Sequence, residues 1–423
     1  MFESPIMENS RTPDVPLLFF SRGLRLFGYG AVSIILMLYL LEVGLSEKEV
    51  GLLFSLTLLG DTVISLGLTT RADRWGRKRT LLLGAALMIL AGVIFALTQN
   101  YVFLVLAAII GVISPSGNEV GPFLSIEQAS LTELITPTQR TRLFAWYNLT
   151  GSFATAFGAL ASGFVIRFLQ HDLGWAAVQS YRAVVLGYAL LGGLLLIVLS
   201  RLSPAVEVHG GKPRVEASRS IRQNWHGLSH SKQFVLKLSS LFSLDAFAGG
   251  FVIQSFMAFW FHTKFGVEPA LLGSIFFGAN ILAGVSALLA ARVAARIGLI
   301  NTMVFTHLPS NVLLILVPLM PNLPLAITVL LLRFSISQMD VPTRQSYTMA
   351  VVHAEERSAA SGITNVARTV GASLAPLFAG PLLAVPALMS VPFFICGGLK
   401  IVYDIALYRG FKAIRPPEEQ ATS

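Results

Sequence analysis

The chain consists mainly of long apolar runs separated by short polar breaks. A run of about twenty apolar residues is long enough for a helix to cross the hydrocarbon core of a membrane. Twelve such runs occur, at 17–41, 48–70, 80–98, 102–134, 141–168, 182–201, 233–262, 269–295, 301–320, 324–352, 358–384 and 388–408. The pattern predicts an all-α membrane protein with twelve transmembrane helices.

The fourth run is too long for one straight crossing. It contains Pro115, Gly117, Gly121 and Pro122 within eight positions of one another. Proline removes a backbone donor and glycine permits unusual backbone angles, so both weaken a helix. Non-helical backbone at membrane depth is tolerated where it faces a cavity. The sequence therefore predicts a kink or a break in this span.

The composition agrees with a membrane protein. Of 423 residues, 54% are hydrophobic and 13% charged, against roughly 25% charged in soluble domains. The net charge of +9 comes largely from Lys and Arg in short loops between apolar runs, so we expect a lipid bilayer and no nucleic acid as the partner. Cys396 is the single cysteine, and the histidines are scattered, so we expect no metal and no cofactor.

The chain divides into two related parts. The long polar stretch at 202–232 is the predicted cytoplasmic linker between an N-terminal half, 1–201, and a C-terminal half, 233–423. Nearly constant offsets pair Gly51 with Gly273, Arg74 with Arg296, and Gly163 with Gly380. The pattern predicts two pseudo-symmetric six-helix halves in the same orientation, with a substrate site between them near the bilayer midplane.

The basic residues orient the chain in the membrane. Most Lys and Arg lie in loops on the side of the termini, whereas Lys48, Arg167, Arg182 and Lys264 lie on the other side. The positive-inside rule therefore predicts a multi-pass protein of the cell (inner or plasma) membrane with both termini in the cytoplasm.

A motif lies between the second and third runs, in the segment "TTRADRWGRKRTLLLG". The segment resembles the signature loop of the major facilitator superfamily through Asp73, Arg74, Gly76, Arg77 and Lys78. It departs from that signature at Thr69, where the superfamily usually has glycine. The resemblance covers nearly the whole chain in span number, repeat and linker. It implies the superfamily's fold and solute transport by alternating access.

The motif predicts a cytoplasmic gate. Glycine at position 76 permits a tight turn, and the basic residues anchor the loop at an anionic membrane surface. The Asp73 carboxylate is expected to accept hydrogen bonds from a helix N-terminus of the other half and to hold the inner side shut.

Several carboxyl groups fall inside the predicted spans. An ionisable group at membrane depth costs at least about 2.5–3.5 kcal/mol on insertion scales, so each is a functional candidate. The proton-coupling candidates are Asp61, Glu119, Glu127, Asp245 and Asp340. Glu119 is preferred because it lies beside the predicted break, and its position resembles that of a fourth-span glutamate in the organic anion/proton symporter branch of the superfamily.

The arginines inside the spans predict an anionic substrate. Arg25, Arg344 and Arg368 are the predicted substrate ligands, because a guanidinium group matches a carboxylate or phosphate. Glu127 and Arg344 occupy matching positions of the repeat, so they either pair across the cavity when the inner side is closed or act separately as caps at the inner water interface. Lys400 and Asp404 stand four residues apart and predict a local ion pair.

These features predict a secondary active transporter of a small organic solute, with an organic anion as the expected substrate. We expect it to be coupled to protons and functional as a monomer. An enzyme is not expected, because no pairing of nucleophile and base emerges. A proton-driven efflux antiporter for drugs and other amphipathic solutes is the alternative, although the fifth span lacks the proline typical of such antiporters. A membrane receptor that does not transport would show the same sequence.

Overall fold

The computed structural model describes residues 13–135, 140–207, 231–353 and 356–414. Most of the predicted linker, 208–230, lies outside these residues. The secondary structure within them is helical. The α-helices are α1 (Asp14–Ser33), α2 (Leu36–Glu42), α3 (Glu47–Trp75), α4 (Arg77–Leu97), α5 (Tyr101–Ile110), α6 (Phe123–Leu134), α7 (Arg140–Arg167), α8 (Ala177–Ser200), α9 (Lys232–Gly250), α10 (Gln254–Phe265), α11 (Pro269–Ile297), α12 (Leu299–Leu316), α13 (Leu323–Phe334), α14 (Asp340–Val351), α15 (Arg357–Leu383) and α16 (Val391–Phe411).

The helices account for the predicted spans. Over the described ranges, nine helical segments are long and apolar enough to cross a membrane, and α1 with α2 forms a tenth span bent by 48°. The shorter apolar helices α5 and α13 are each followed by a break and then by a second helix, α6 or α14. The chain is therefore an all-helical, multi-pass membrane protein, and its architecture is consistent with twelve spans.

Four spans are broken, and they are the first and fourth of each half. The breaks lie at 34–35, 111–122, 251–253 and 335–339. The break predicted in the fourth span is confirmed, with φ angles of +72° at Gly117 and +82° at Gly121 that favour glycine. Broken spans expose backbone near the middle of the membrane, so they are where a solute site is expected.

Two glycine contacts join the halves on the face opposite the termini, which we call the distal face. A Cβ atom at Gly51 would lie 2.9 Å from Cα of Gly380, and one at Gly273 would lie 3.3 Å from Cα of Gly163. The helices thus touch backbone to backbone, as small residues allow. Because the repeat pairs Gly51 with Gly273 and Gly163 with Gly380, the two contacts are related by the pseudo-symmetry of the halves.

The broken spans of the two halves also contact each other. The Ser255 hydroxyl lies 2.6 Å from the backbone oxygen of Ser33 and 2.7 Å from that of Pro115. The Gln254 side-chain amide donates to the Ser33 hydroxyl at 2.8 Å. Polar groups at the breaks are therefore satisfied between the halves.

The opposite face, which carries the termini and is called the terminal face, is more open. Seven residues of α3 up to Gly60 are buried, whereas Ala72 is the one buried residue of α3 beyond that point. The structure is thus a conformation closed on the distal face.

Candidate substrate and proton site

A cluster of charged side chains lies inside the N-terminal half, on the first and fourth spans. Arg25, which is completely buried, reaches both oxygens of Glu127 with Nη1 at 2.7 Å and Nη2 at 2.9 Å. Its Nε donates to Glu119 at 3.0 Å, and Nη1 also donates to the Ser21 hydroxyl at 3.0 Å. The bidentate geometry is that of a strong charge-assisted pair. The fork of Arg25 is therefore occupied by carboxylates of its own half.

The remaining members complete this cluster. Arg22 Nη1 lies 2.8 Å from Glu119. The Tyr147 hydroxyl donates to Glu127, and the Ser21 hydroxyl donates to the same carboxylate at 2.5 Å. The Arg22 guanidinium lies over the Tyr147 ring, 4.3 Å from its centre. We call Arg22, Arg25, Glu119 and Glu127 the N-half charge cluster. Its two positive and two negative groups balance.

Asp61 is a third carboxyl group of this half, and it differs from the other two. Its Oδ1 accepts hydrogen bonds from the Gly121 backbone N–H at 2.5 Å and from the Ser65 hydroxyl at 3.1 Å. Both donors are neutral. Across the described ranges, no Lys, Arg or His lies within ion-pair distance of Asp61. Since Gly121 follows Glu119 by two residues, Asp61 touches the broken segment that carries the N-half charge cluster.

A second cluster, in the C-terminal half, is centred on Asp245 of α9. Lys400 Nζ lies 2.5 Å from Asp245 Oδ1. Arg344 Nη1 and Arg368 Nη1 lie 3.3 and 3.4 Å from Oδ2. Asp245 therefore joins helices α14, α15 and α16 through three cations.

Further acids and a histidine surround that centre. Arg344 Nη1 also contacts Asp340 at 2.9 Å. His307 Nδ1 lies 2.8 Å from Asp404 Oδ1, and the Asn311 amide donates to Asp404 Oδ2 at 2.9 Å. We call Asp245, Asp340, Asp404, Arg344, Arg368, Lys400 and His307 the C-half charge cluster. With His307 neutral, its three carboxylates balance its three cations.

The predicted pairing of Glu127 with Arg344 belongs to the state in which the inner side is closed, so it is not expected in this structure, which is open on the terminal face. Both side chains are buried within their own halves here rather than placed at the inner water interface. A second predicted pairing is wrong in this conformation. Lys400 pairs with Asp245, and Asp404 pairs with His307, in place of the predicted Lys400–Asp404 pair. The reason is that the packing of α9 and α12 against α16 brings Asp245 to Lys400 and His307 to Asp404, and spacing along α16 alone does not specify this packing.

Sequence reasoning missed several members of the site. His307 was not predicted as a site residue because no second histidine lies within one helix turn of it. Asn311 was not predicted because it carries no charge. Their separation of four residues within an apolar run places two polar groups on one helix face, and that was the available signal. Over the described ranges, no group of three or more His, Cys, Asp and Glu side chains is arranged to hold a metal ion.

The three predicted substrate ligands differ in how much of them a solute can reach. The side chain of Arg25 is 0% exposed, that of Arg344 7% and that of Arg368 29%. Arg368 makes one hydrogen bond within the described part of the chain, from Nη1 to Asp245. Of the three, Arg368 is the most exposed, and the hydrogen bond that it makes leaves other donors of its guanidinium group free of described partners.

The signature motif forms a compact turn at the terminal face. Gly76 has a φ angle of +102°, which explains the requirement for glycine. Asp73 pairs with Arg77 Nε at 2.9 Å, and Arg77 is buried. Arg74 is exposed. The motif therefore points one arginine into the protein and another outwards.

Residues after α8 hold this turn. The Glu207 carboxylate accepts hydrogen bonds from the backbone N–H groups of Arg77 at 2.7 Å and Lys78 at 3.1 Å. These N–H groups belong to the first turn of α4, where an acceptor is normally needed. Lys78 Nζ donates to the Leu202 backbone oxygen at 2.6 Å. In this conformation, the motif is thus bound to the first residues of the predicted linker, directly after α8.

An all-helical bundle with broken spans and buried charge clusters is typical of a polytopic membrane transporter. The sequence profile of the Major Facilitator Superfamily matches residues 18–376. The chain belongs to this superfamily.

Individual proteins support the same assignment. The uncharacterised membrane protein YJR124C of Saccharomyces cerevisiae is 31% identical over 418 residues, which cover 93% of each chain. The quinolone resistance protein NorA of Staphylococcus aureus is 26% identical over 231 residues, 55% of each chain. The crystal structure of the nucleoside transporter NupG superposes with a TM-score of 0.71 at 13% identity, covering 95% of this chain and 100% of that one. This last likeness concerns the fold alone.

Proposed function

We propose that the protein couples protons to the transport of a small organic anion by alternating access. The observation that carries the proposal is the charge balance of the two clusters inside the helix bundle. The N-half charge cluster is neutral without Asp61, and Asp61 has only neutral partners. An ionised Asp61 would therefore leave an uncompensated charge at membrane depth, which is costly.

A bound proton removes that cost, so Asp61 is the group we assign to proton coupling. The other sequence candidates have cations beside them: Glu119 and Glu127 contact Arg25, whereas Asp245 and Asp340 contact Arg344. Such pairing stabilises the ionised carboxylate. Glu119, the candidate preferred from sequence, is thereby better suited to hold Arg22 and Arg25 in place than to carry the proton.

For the substrate, we assign Arg368 as the main anion ligand, with Arg344 beside it. Both guanidinium groups contact Asp245, and Arg368 has donors left over. An anion that binds Arg368 adds negative charge to a cluster whose charges already balance, and a proton taken up elsewhere offsets it. Arg25 supports the fourth span in this proposal, since its donors are taken by Glu119 and Glu127.

Replacement of Arg368 tests the anion site. Arg368→Lys keeps the charge but loses the planar fork, so we expect substrate binding to weaken about tenfold, equivalent to roughly 1.4 kcal/mol. Binding or uptake of a panel of carboxylates and organic phosphates into proteoliposomes measures the change. Lys237→Gln, on the same half but outside the cluster, is the control. Normal anion uptake by Arg368→Lys and Arg368→Ala would contradict the assignment.

Uptake measurements with this panel of solutes, extended by lipophilic cations, distinguish the alternative functions. The likeness to the quinolone resistance protein NorA favours the drug antiporter alternative. In that case lipophilic cations would be moved, and Arg368 variants would have little effect. A receptor that does not transport would bind solute without flux. We further propose that the protein is a monomer in the cell membrane with both termini in the cytoplasm. The open terminal face is then the cytoplasmic face, so the structure is an inward-facing conformation.

We assign the inner gate to Asp73, with Arg74, Gly76, Arg77 and Lys78 forming the turn that presents it. The Asp73 side chain is 35% exposed, and its Oδ1 pairs with Arg77. Its carboxylate can therefore accept further hydrogen bonds from donors of the other half when the terminal face closes. Asp73→Asn should slow transport at least about tenfold, because an interaction specific to one conformation is weakened.

Flux at equal protein amounts measures the effect of Asp73→Asn, and the thermal midpoint shows whether the variant is folded. Glu133→Gln, which removes a more exposed acid 3.9 Å from Arg77, is the matched control. Wild-type flux in Asp73→Asn would refute the gate assignment.

A further inference from the structure

We propose that the N-terminal half binds one anionic phospholipid at its terminal face, at a cavity that includes Arg74 of the gate motif. A cavity of about 350 Å³ lies where α3 ends and α4 begins. It is lined by Arg74, Trp75, Arg79, Thr80 and Leu83. The proposal goes beyond the transport function and does not depend on it.

The cavity lies on the outer surface of the helix bundle. Arg79, Leu83 and Leu90 of α4 are exposed at helical spacing, whereas Leu81 and Met88 on the other face are buried. Helix α4 packs against α3, α5, α6 and α8, all of its own half. An exposed apolar face on a transmembrane helix faces lipid, so the cavity opens towards the bilayer at the end of the span, where headgroups lie.

The charges of the cavity suit a phosphate group. Arg74 and Arg79 are both exposed, and no carboxylate of the described ranges lies within ion-pair distance of either. Asp73, the nearest acid in sequence, pairs with Arg77 instead. Two unpaired guanidinium groups at one cavity favour an anionic phosphodiester.

The apolar part of the cavity favours a lipid over a free phosphate. Trp75 is 51% exposed, and tryptophan is enriched at the membrane interface. Leu83, 41% exposed, lies one turn of α4 beyond Arg79 in the direction of the membrane interior. A ligand with a charged headgroup and an acyl chain contacts both parts, whereas inorganic phosphate contacts only the arginines.

The C-terminal half provides an internal comparison. Gly298 has a φ angle of +86°, similar to that of Gly76, so the corresponding turn has a related backbone. The repeat places Arg296 at the position of Arg74, but Ile297 at that of Trp75 and Asn301 at that of Arg79. The pair of arginines with a tryptophan is therefore particular to the N-terminal half.

Lipid competition tests the site. The purified full chain is delipidated and offered phosphatidylglycerol and phosphatidylcholine of equal chain length, and bound lipid is counted by native mass spectrometry. Each basic residue near a membrane surface contributes about 1 kcal/mol, or roughly fivefold. The double variant Arg74→Gln with Arg79→Gln should thus lose about 30-fold of the preference for phosphatidylglycerol.

The matched control removes the same charge from the other half. Arg292→Gln with Arg296→Gln, both exposed positions near the terminal end of α11, should keep the wild-type preference. Trp75→Leu should reduce the preference for phosphatidylglycerol without a change in charge. This single variant therefore tests the site even if the double variant Arg74→Gln with Arg79→Gln fails to fold. Equal loss in both double variants would indicate bulk surface charge and overturn the site. Displacement of the lipid by millimolar inorganic phosphate would overturn the assignment to a lipid.

Discussion

Asp61→Asn is expected to abolish accumulation of substrate driven by a pH gradient while exchange of substrate across the membrane continues. The amide imitates a permanently protonated carboxyl group, so the variant completes the transport cycle without releasing a proton. With one proton per substrate, a gradient of one pH unit drives about tenfold accumulation, because tenfold corresponds to roughly 1.4 kcal/mol. The variant should reach the same concentration on both sides.

Proteoliposomes with an imposed pH gradient measure accumulation, and preloaded vesicles without a gradient measure exchange. Ser65→Ala is the matched control, since it removes a hydrogen bond to Asp61 but leaves the carboxyl group. We expect Ser65→Ala to accumulate substrate. Should Asp61→Asn still accumulate substrate in response to the gradient, the proton would have to be carried elsewhere, and Glu119→Gln would be the next variant to measure.

Asp245→Asn is expected to destabilise the protein strongly. The change leaves the buried Lys400 and Arg344 and the partly exposed Arg368 with one negative charge fewer beside them. Breaking a buried ion pair by removing one partner costs about 3–5 kcal/mol. The unfolding midpoint in detergent should fall accordingly. Cys396, the single cysteine, is buried one turn before Lys400 on α16, so reaction with a thiol-specific fluorophore reports the unfolding.

A charge-balanced double variant distinguishes electrostatics from packing. Asp245→Asn combined with Lys400→Met removes one charge of each sign, so stability should recover in part relative to Asp245→Asn alone. If the double variant is as unstable as the sum of the two single variants, the ion pair contributes no coupling energy. That outcome would reject the role of Asp245 as the electrostatic centre of its half.

The fold was predictable because membrane spans have a simple signal. Hydropathy located the apolar runs, and the prolines and glycines around Gly117 located the break of the fourth span. The break at 335–339 was not predicted, because that segment, "SISQM", contains neither glycine nor proline. Its backbone is set by tertiary packing, for example by the Gln338 N–H, which lies 3.3 Å from the Ser286 hydroxyl.

Most charged residues of the site could be predicted from the sequence, whereas the ion pairs between them could not. Each charged residue within a span was a candidate, since burial of charge at membrane depth needs a reason. Which cation meets which acid depends on helix rotation and on distances between helices, and neither is encoded by spacing along one helix. The position of Asp61 beside Gly121 is a case of this kind, because it requires α3 to approach the broken fourth span.

The paired glycine contacts on the distal face have a mechanical consequence for opening. Gly51–Gly380 and Gly163–Gly273 are two points related by the pseudo-twofold relation of the halves. These two separated contacts define an axis. Two rigid halves that touch at both contacts rotate about this axis more easily than they slide past each other. A methyl group added at one point would part the halves there while the other point stayed in contact, so the halves would tilt sideways. Opening of the distal face by a symmetric rocking motion therefore requires both points to release together.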